Sequence, residues 1–226
     1  MRVERRRSRR ARRYVRRLLV VIVLLAAAYV ALDLTARSIA DNQLAHAIRA
    51  RTAAQGAAVQ VGSVGFLFDL VAKGSVEAID VQLVDVPVGK LHLARVDVSA
   101  QSVQIDRHLL LADRRVRVTA ISSAEVQVTV TAAELSHAVG REVVLSGPDT
   151  VKVRIGPVLV PATIGIAAGH VLTLGEGGFQ LLDIDLAESS VVPRCGMQLT
   201  VNHGSATLAC KVAPVPASLV AGLSGT

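Results

Sequence analysis

Fifteen consecutive residues, VRVTAISSAEVQVTV at positions 116–130, alternate between apolar and polar side chains. An alternation with a period of two is the pattern of a β-strand with one buried face. An unbroken strand of this length would extend about 50 Å, whereas most strands have five or six residues. The predicted sheet is therefore long, unlike that of a compact sandwich. The apolar face comprises Val116, Val118, Ala120, Ala124, Val126, Val128 and Val130.

Two segments before this strand have the same alternation, but its phase changes along each of them. In residues 79–86 the apolar set Ile79, Val81 and Leu83 gives way to Val84 and Val86. In residues 91–105, Leu91 and Leu93 give way to Val96 and Val98, and then to Val103 and Ile105. Each change moves the apolar set to the other face of the strand unless an extra residue bulges out, and bulges bend sheets. The pattern therefore predicts a curved sheet.

Shorter elements complete the pattern. Strands are predicted at 151–155, 162–166, 179–186, 197–201 and 208–212, with Gly, Pro and Asp between them as hairpin connections. The sequence TAAE at 131–134 is a capping box, which predicts a short helix carrying Leu135, Ala138 and Val139. Residues 35–54 predict an amphipathic helix, whose one face has Ala36, Ala40, Leu44, Ala47, Ile48 and Arg51. We expect an α+β fold in which a long, mostly antiparallel sheet wraps around this helix.

The N-terminal residues predict a membrane segment. Residues 1–17 carry ten Arg, and residues 18–32, LLVVIVLLAAAYVAL, contain neither a charge nor a Pro. As a helix this run reaches about 22 Å, short of a hydrocarbon core of about 30 Å, unless Tyr14 and Val15 are drawn in while Arg16 and Arg17 snorkel. A cleaved signal peptide is the alternative, with Ala26–Ala28 as small residues for cleavage.

Either alternative gives the same division of the chain. Residues 1–17 form a basic cytoplasmic tail, 18–32 a signal anchor or signal peptide, and 33–226 a domain on the extracytoplasmic side. Ten of the 25 basic residues and one of the 18 acidic residues lie in the tail, so the rest of the chain has a net charge of −2. That charge and the scarcity of aromatic residues disfavour nucleic acid as a partner.

The sequence offers little for catalysis, metal binding or cofactors. The six His residues form neither an HxH nor an HxxxH pair, GxSxG is missing, and GEGG at 175–178 fits a turn better than a phosphate loop. Asp183 and Asp185 could serve as the acid and base of a hydrolase, but their spacing is more typical of the polar side of a half-buried strand. Cys195 and Cys210 lack metal-site spacing and predict a structural disulfide in an exported domain.

Several short motifs, in their order along the chain, carry a family resemblance. Asp33 follows the apolar run, an Ala-rich helix leads to a Val strand, and a Gly-Phe-x-Phe turn follows at Gly65, Phe66 and Phe68. Gly74 then opens the strand VEAIDVQLVDV. The later motifs are Thr131, Glu134 and Leu135 in a helix, then Pro193, Gly196 and Gly204.

With these motifs the chain resembles the LmeA-like family of cell-envelope phospholipid-binding proteins over nearly all of residues 33–212. It departs from the family pattern at two places. Leu67 lies between the aromatic positions, where the family usually has Pro. Asp69 and Leu70 lie shortly after the aromatic positions, where the family usually has a polar residue. The resemblance implies a tubular lipid-binding architecture and a non-catalytic function. It also implies a phospholipid or glycophospholipid ligand, the inner membrane as location, and a partner protein of envelope biosynthesis.

The residues suggest where lipid would bind. An elongated apolar interior suits acyl chains, and its predicted lining includes Val81, Leu83, Val118, Val126 and Val128. Phe66, Leu67, Phe68, Leu70 and Val71 would form an apolar lip, where lipid enters or where the domain touches the bilayer. The alternative is that both Phe side chains cap a filled core, because their i, i+2 spacing puts them on one face of a strand.

Four Arg residues near a strand end could hold a lipid phosphate in bidentate fashion, or they could form a solvated hairpin end. They are Arg107, Arg114, Arg115 and Arg117. A second function remains open beside lipid binding or transfer. In it, the chain is a structural or assembly domain of the envelope with a packed interior, which recruits a protein partner by strand addition and binds no lipid.

Overall fold

The computed structural model describes residues 4–62, 65–106, 108–109, 112, 117–148, 150–189, 192–193 and 195–216. Its first element is one continuous helix, α1 (Glu4–Thr52), which joins the predicted membrane segment and the predicted amphipathic helix. Residues 18–52 contain no Gly or Pro that would interrupt it. Within α1, Leu19–Ala50 is long and apolar enough to cross a membrane by length and composition, a test that signal sequences also pass.

Eleven strands follow in the described ranges, and the predicted strands are all found among them. In chain order they are β1 (Gly56–Gly62), β2 (Ser75–Val88), β3 (Leu91–Ile105), β4 (Val118–Thr131), β5 (Val143–Leu145), β6 (Val151–Ile155), β7 (Val158–Ala167), β8 (Val171–Glu176), β9 (Phe179–Asp185), β10 (Gln198–Asn202) and β11 (Ser205–Val212). The larger sheet has the order β1-β2-β3-β4-β11-β10, and the smaller has the order β5-β6-β7-β8-β9. Every pairing is antiparallel.

Two further α-helices are described from end to end, and both lie between strands. The short helix α2 (Phe66–Phe68) continues as a π-helical turn, Asp69–Lys73, before β2. The helix α3 (Ala132–Val139) follows β4 and begins with the predicted capping box. The Glu134 carboxylate accepts the Thr131 backbone N–H at 2.7 Å, and the Thr131 hydroxyl oxygen accepts the Glu134 backbone N–H at 3.3 Å. These bonds satisfy N–H groups that the start of a helix leaves free.

The main core lies between the two sheets. One row of it crosses four neighbouring strands of the larger sheet at the same level, through Leu83, Val96, Val128 and Leu208. All four side chains are fully buried. They belong to one cluster with residues of the smaller sheet such as Leu172 and Leu174, so this interior is filled by protein side chains. The expected α+β fold with mostly antiparallel, open curved sheets is confirmed.

The predicted phase changes occur, but not by inserted residues in the β2–β3 pair. In the β2–β3 ladder, Glu77 and Ser102 lie opposite each other without pairing, and the register on both sides of them is the same. The ladder is interrupted in the same way at Asp85. Ser102 and Asp85 have left-handed backbone angles, with φ of 52° and 55°. At each of these two changes, therefore, one strand of the pair has a residue in the left-handed region. The expectation of an extra bulged residue at each change is therefore wrong for this pair.

The same change of face also reaches β4. The β3–β4 ladder skips Ser102 with Ser122, so Glu77, Ser102 and Ser122 form a line across three strands. On one side of this line Val126 and Val128 are buried, and on the other side Ile121 is buried. The predicted single apolar face of residues 116–130 is therefore wrong for the first half of the strand, where Ile121 faces the interior.

Candidate functional site

A second, smaller core lies beyond the line of Glu77, Ser102 and Ser122. Three of its side chains, Val76, Val103 and Ile121, stand side by side on neighbouring strands. Val61 of β1 and Phe66 of α2 complete the buried set, which we call the small core. Ala36 and Ala40 of α1 pack against it as partly buried residues. The small core therefore lies where α1 meets the end of the larger sheet.

Beside the small core, the face of α1 that packs on the domain has small and polar side chains, whereas farther along the helix Ile48 packs against the main core. Asp33 is buried, and Ala36, Arg37, Ala40 and Asp41 are partly buried. The Asp41 carboxylate accepts the backbone N–H of Val61 at 3.1 Å, which ties α1 to β1. Arg37 Nη2 lies 3.9 Å from Asp33 Oδ2, one helical turn away. Because alanine side chains bury little area, this seam between α1 and β1 has less apolar contact than the main core.

The residues that follow β1 form a helical turn, whereas the alternative of a filled core placed Phe66 and Phe68 on a strand. Gly65, with φ of 78°, begins the turn, and Gly74, with φ of 67°, ends it. Both angles are ones that Gly adopts without a steric penalty. The carbonyl oxygen of Gly65 accepts the backbone N–H of Asp69 at 3.0 Å. We call residues 66–73 the Phe turn.

The Phe turn places its two aromatic side chains on opposite sides. Phe66 is 7% exposed and belongs to the small core, whereas Phe68 is 60% exposed. Val71 is 51% exposed, and Leu70 is partly buried against the small core. The prediction that both Phe residues share one strand face is therefore wrong, because successive residues of a helix are rotated by about 100°. The side chain of Leu67 lies outside the described part of the chain.

One ion pair lies on the Phe turn. Lys73 Nζ lies 2.7 Å from Asp69 Oδ1, one turn earlier. The hydrogen bond to Asp69 and its negative charge raise the pKa of Lys73, so this side chain stays protonated throughout the physiological range. Its side chain is 62% exposed, which leaves the ammonium group in contact with solvent.

Three parts of the chain meet around the Phe turn. A Cβ atom added to Gly65 would lie 3.6 Å from Tyr29 Oη, which places α1 beside the start of the turn. The carbonyl oxygen of Gly74 accepts the backbone N–H of Ile105 at 2.8 Å, which places the end of β3 beside its other end. Asp106 donates its backbone N–H to the carbonyl oxygen of Arg117, just before β4.

Of the four predicted headgroup residues, the structure describes one. Arg117 is exposed and lies at the same end of the larger sheet as the Phe turn. Arg107, Arg114 and Arg115 lie outside the described residues, so their role stays a prediction. Tyr29 is a neighbour of this site that the sequence analysis missed, and its one signal was a phenol within an otherwise aliphatic run.

The predicted acyl-chain lining divides between the two cores. Val118 packs on the small core beside Phe66 and Leu70. Leu83, Val126 and Val128 are buried in the main core, and Val81 is partly buried against it. A lipid role for these four stays a prediction, and it would require the main core to open.

The outer face of the larger sheet is polar. An open groove of about 370 Å³ on this face is lined by side chains that include Asp80, Asp97 and Glu125. Arg95 Nε lies 2.7 Å from Asp97 Oδ2 within the same groove. Carboxylates in water do not favour contact with acyl chains, so this groove does not suit a lipid tail.

The remaining predicted residues have structural contacts. The disulfide between Cys195 and Cys210 is confirmed, and it ties the segment before β10 to β11. The Asp183 carboxylate accepts a hydrogen bond from the Gln180 side-chain amide at 2.9 Å. The Asp185 carboxylate accepts the backbone N–H of Ala187 at 2.8 Å. Within the described ranges, no three His, Cys, Asp or Glu residues are grouped so that they could hold a metal ion.

A comparison with sequence models of protein families matches residues 31–225 to one family, described as LmeA-like phospholipid-binding. The chain belongs to the LmeA-like family. This match confirms the resemblance that the sequence motifs indicated. Searches among curated proteins and among solved structures found no match to the chain.

The region that matches the LmeA-like family has a clear position in the fold. It begins at Ala31, within α1 and two residues before the buried Asp33. It therefore includes the face of α1 that packs on the domain, the Phe turn and both sheets. Membership in a phospholipid-binding family thus applies to the whole described domain and to the part of α1 that covers the small core.

Proposed function

We propose that this protein binds phospholipid or glycophospholipid without catalysing a reaction, and that it transfers this lipid during cell-envelope biogenesis. In this proposal α1 anchors the chain in the inner membrane as a signal anchor, and the domain lies on the extracytoplasmic side. The observation that carries the proposal is the match of residues 31–225 to the LmeA-like phospholipid-binding family.

The topology is supported by charge and by cysteine chemistry. Ten Arg residues precede the apolar run, and positive charge favours the cytoplasmic side of a membrane. The disulfide Cys195–Cys210 suits an oxidising compartment beyond that membrane. The apolar side chains of α1 from Leu19 to Leu25 are more than half exposed, which suits contact with lipid.

We infer that an acyl chain enters at the seam between α1 and β1, beside the small core. The contact there consists largely of Ala36 and Ala40 on the helix side, with the Asp41 hydrogen bond to β1 at one end. Opening this seam therefore exposes less apolar area than parting the two sheets would. Arg117, exposed at the same end, is placed where it could meet a lipid phosphate.

The experiment is lipid extraction from the purified domain. Residues 33–226 are exported to an oxidising compartment and purified without detergent, and the organic extract is analysed by mass spectrometry. We expect about one phospholipid per chain. Phe68→Asp should lower this occupancy, because it places a charge beside the seam. Phe179→Asp is the matched control, since Phe179 is 78% exposed on the β8–β9 hairpin, and it should leave occupancy unchanged.

A second candidate function is supported by the filled main core. Leu83 and Val128, which were predicted to face lipid, are fully buried among protein side chains. A filled interior suits a structural or assembly domain of the envelope that binds a protein partner by strand addition. Under this alternative the extracted domain carries no phospholipid and still unfolds cooperatively, and the lipid-binding proposal would be abandoned.

A further inference from the structure

Two apolar side chains of the Phe turn face away from the small core. Phe68 is 60% exposed and Val71 is 51% exposed. Phe68 is one of three Phe residues in a chain that has no Trp and is 2% aromatic. Transferring such side chains from water to an apolar phase is favourable, so their exposure points to a contact outside the domain.

The position of the Phe turn along α1 identifies this contact. Tyr29 Oη would lie 3.6 Å from a Cβ atom at Gly65, so the turn begins beside the outer end of the apolar run 18–32. If α1 crosses a bilayer, Phe68 and Val71 therefore lie close to the level where the helix leaves the hydrocarbon. Tyr favours that interfacial level in membrane helices.

The apolar run is short, and this brings the Phe turn closer to the hydrocarbon core of the bilayer. Fifteen helical residues reach about 22 Å, less than a hydrocarbon core of about 30 Å. Asp33 is the first charge after the run, and it is only 7% exposed on the face that packs on the domain. Leu34 and Ile39, which follow it, are each 57% exposed. The other exposed residues from 34 to 39, Thr35 and Ser38, are polar but uncharged. Because the charge of Asp33 is shielded and no exposed residue here is charged, the hydrocarbon can extend past Leu32 to the level of the Phe turn.

We propose that Phe68 and Val71 insert into the outer leaflet of the bilayer that α1 crosses, as a second membrane contact of the domain. Lys73, at the end of the same turn, and Arg117 then lie near the lipid phosphates. The inference rests on the anchor in the proposed function. It adds that the domain is held against the membrane surface with its seam facing the lipid.

The missing Trp makes a direct test possible. Full-length chains with Phe68→Trp or Val71→Trp each carry one Trp, as does a control chain with Phe179→Trp. Each chain is reconstituted in vesicles of phosphatidylcholine and phosphatidylglycerol, with and without bromine on the acyl chains. For Phe68→Trp and Val71→Trp we expect blue-shifted emission, at least twofold quenching by brominated lipid, and weak quenching by acrylamide in the water.

The control should behave in the opposite way, with strong quenching by acrylamide and no response to brominated lipid. If the Phe68→Trp and Val71→Trp chains respond like the Phe179→Trp chain, the inference is overturned. A purified mature chain whose intact mass shows cleavage near Ala26–Ala28 would also overturn it, because no span would remain. Phospholipid in the extract of the domain without insertion of Phe68→Trp would reject this inference and leave the proposed function intact.

Discussion

Phe66 and Phe68 are two residues apart, and their surroundings differ completely. Phe66 fills the small core, and Phe68 projects from the domain. In the sequence, Gly65 and Gly74 bracket this segment, and in the structure both have left-handed backbone angles. A short apolar run between two Gly residues fits a strand or a helical turn equally well by pattern alone. Only the packing of Phe66 against β2, β3 and β4 decides between them.

The two Phe residues should differ in their effect on stability. Phe66→Ala removes a buried aromatic side chain and should lower the free energy of unfolding of the domain by about 3–4 kcal/mol. Phe68→Ala removes a side chain that is mostly in solvent, and should change it by less than about 0.5 kcal/mol. Urea unfolding of residues 33–226 measures both values. Equal losses in the two variants would contradict the assignment of Phe66 to the core.

A pH-dependent contribution is expected from Glu142 and Arg154, which form an ion pair between the start of β5 and β6. The hydrogen bond from Arg154 and its positive charge lower the pKa of Glu142. A lowered carboxyl pKa stabilises the folded state above the unfolded value, about 4.3, and this stabilisation is lost as the pH falls through the folded pKa. The two side chains are 41% and 51% exposed, so salt should weaken the effect.

The measurement compares the wild-type domain with Glu142→Gln by urea unfolding at pH 7 and at several values below pH 4. We expect the wild type to be slightly more stable at pH 7 and the difference to disappear in acid and in high salt. A difference that grows as the pH falls would have the wrong sign for a lowered carboxyl pKa.

At the scale of elements, the line of Glu77, Ser102 and Ser122 decides which side of three strands is buried. The phase changes in β2 and β3 could be predicted because large aliphatic residues stand on both sides of each change. In β4 the change was missed, since Ala120 and Ala124 continue the alternation and only Ile121 and Ser122 break it. Ala contributes little to burial on either face, so the larger Ile121 determines the orientation.

Ser102 offers a test of this line. Its φ of 52° is unfavourable for a β-branched residue, so Ser102→Val should lower the free energy of unfolding by about 1–3 kcal/mol. Ser102→Gly should have little effect or stabilise slightly, because Gly adopts this angle freely. Gln101→Val is the control at an exposed neighbour in the same strand. If Ser102→Val is no worse than this control, the left-handed angle has no role in setting the buried face.

At the scale of the whole molecule, the sequence predicted the strands and one long sheet, but not that the strands divide into two sheets that pack together. Leu83, Val126 and Val128 have the pattern of an apolar sheet face, and that pattern is the same whether a lipid or a second sheet covers it. The structure shows the second sheet there. The small core could not be predicted either, because it combines residues of α1, the Phe turn and four strands.

The disulfide makes a prediction at this scale. Cys195 and Cys210 close a loop with a sequence separation of 15 residues, for which the chain-entropy estimate is about 3 kcal/mol. Replacing both with Ala should lower the free energy of unfolding by about this amount, as should reduction of the wild-type domain. Urea unfolding with and without a reductant measures the effect. The double Ala variant should not respond to the reductant; a response would mean that the reductant acts elsewhere.

The unbroken course of α1 has a mechanical consequence. A domain on a flexible tether could swing out and carry its cargo across a gap, but this domain continues directly from the helix, with Asp33, Asp41 and Ala40 packed or bonded along it. If α1 crosses a bilayer, any tilt or rotation of the helix moves the domain with it. If the anchor is retained, the domain stays at the membrane while it holds a lipid, and the acceptor of that lipid has to come to the domain.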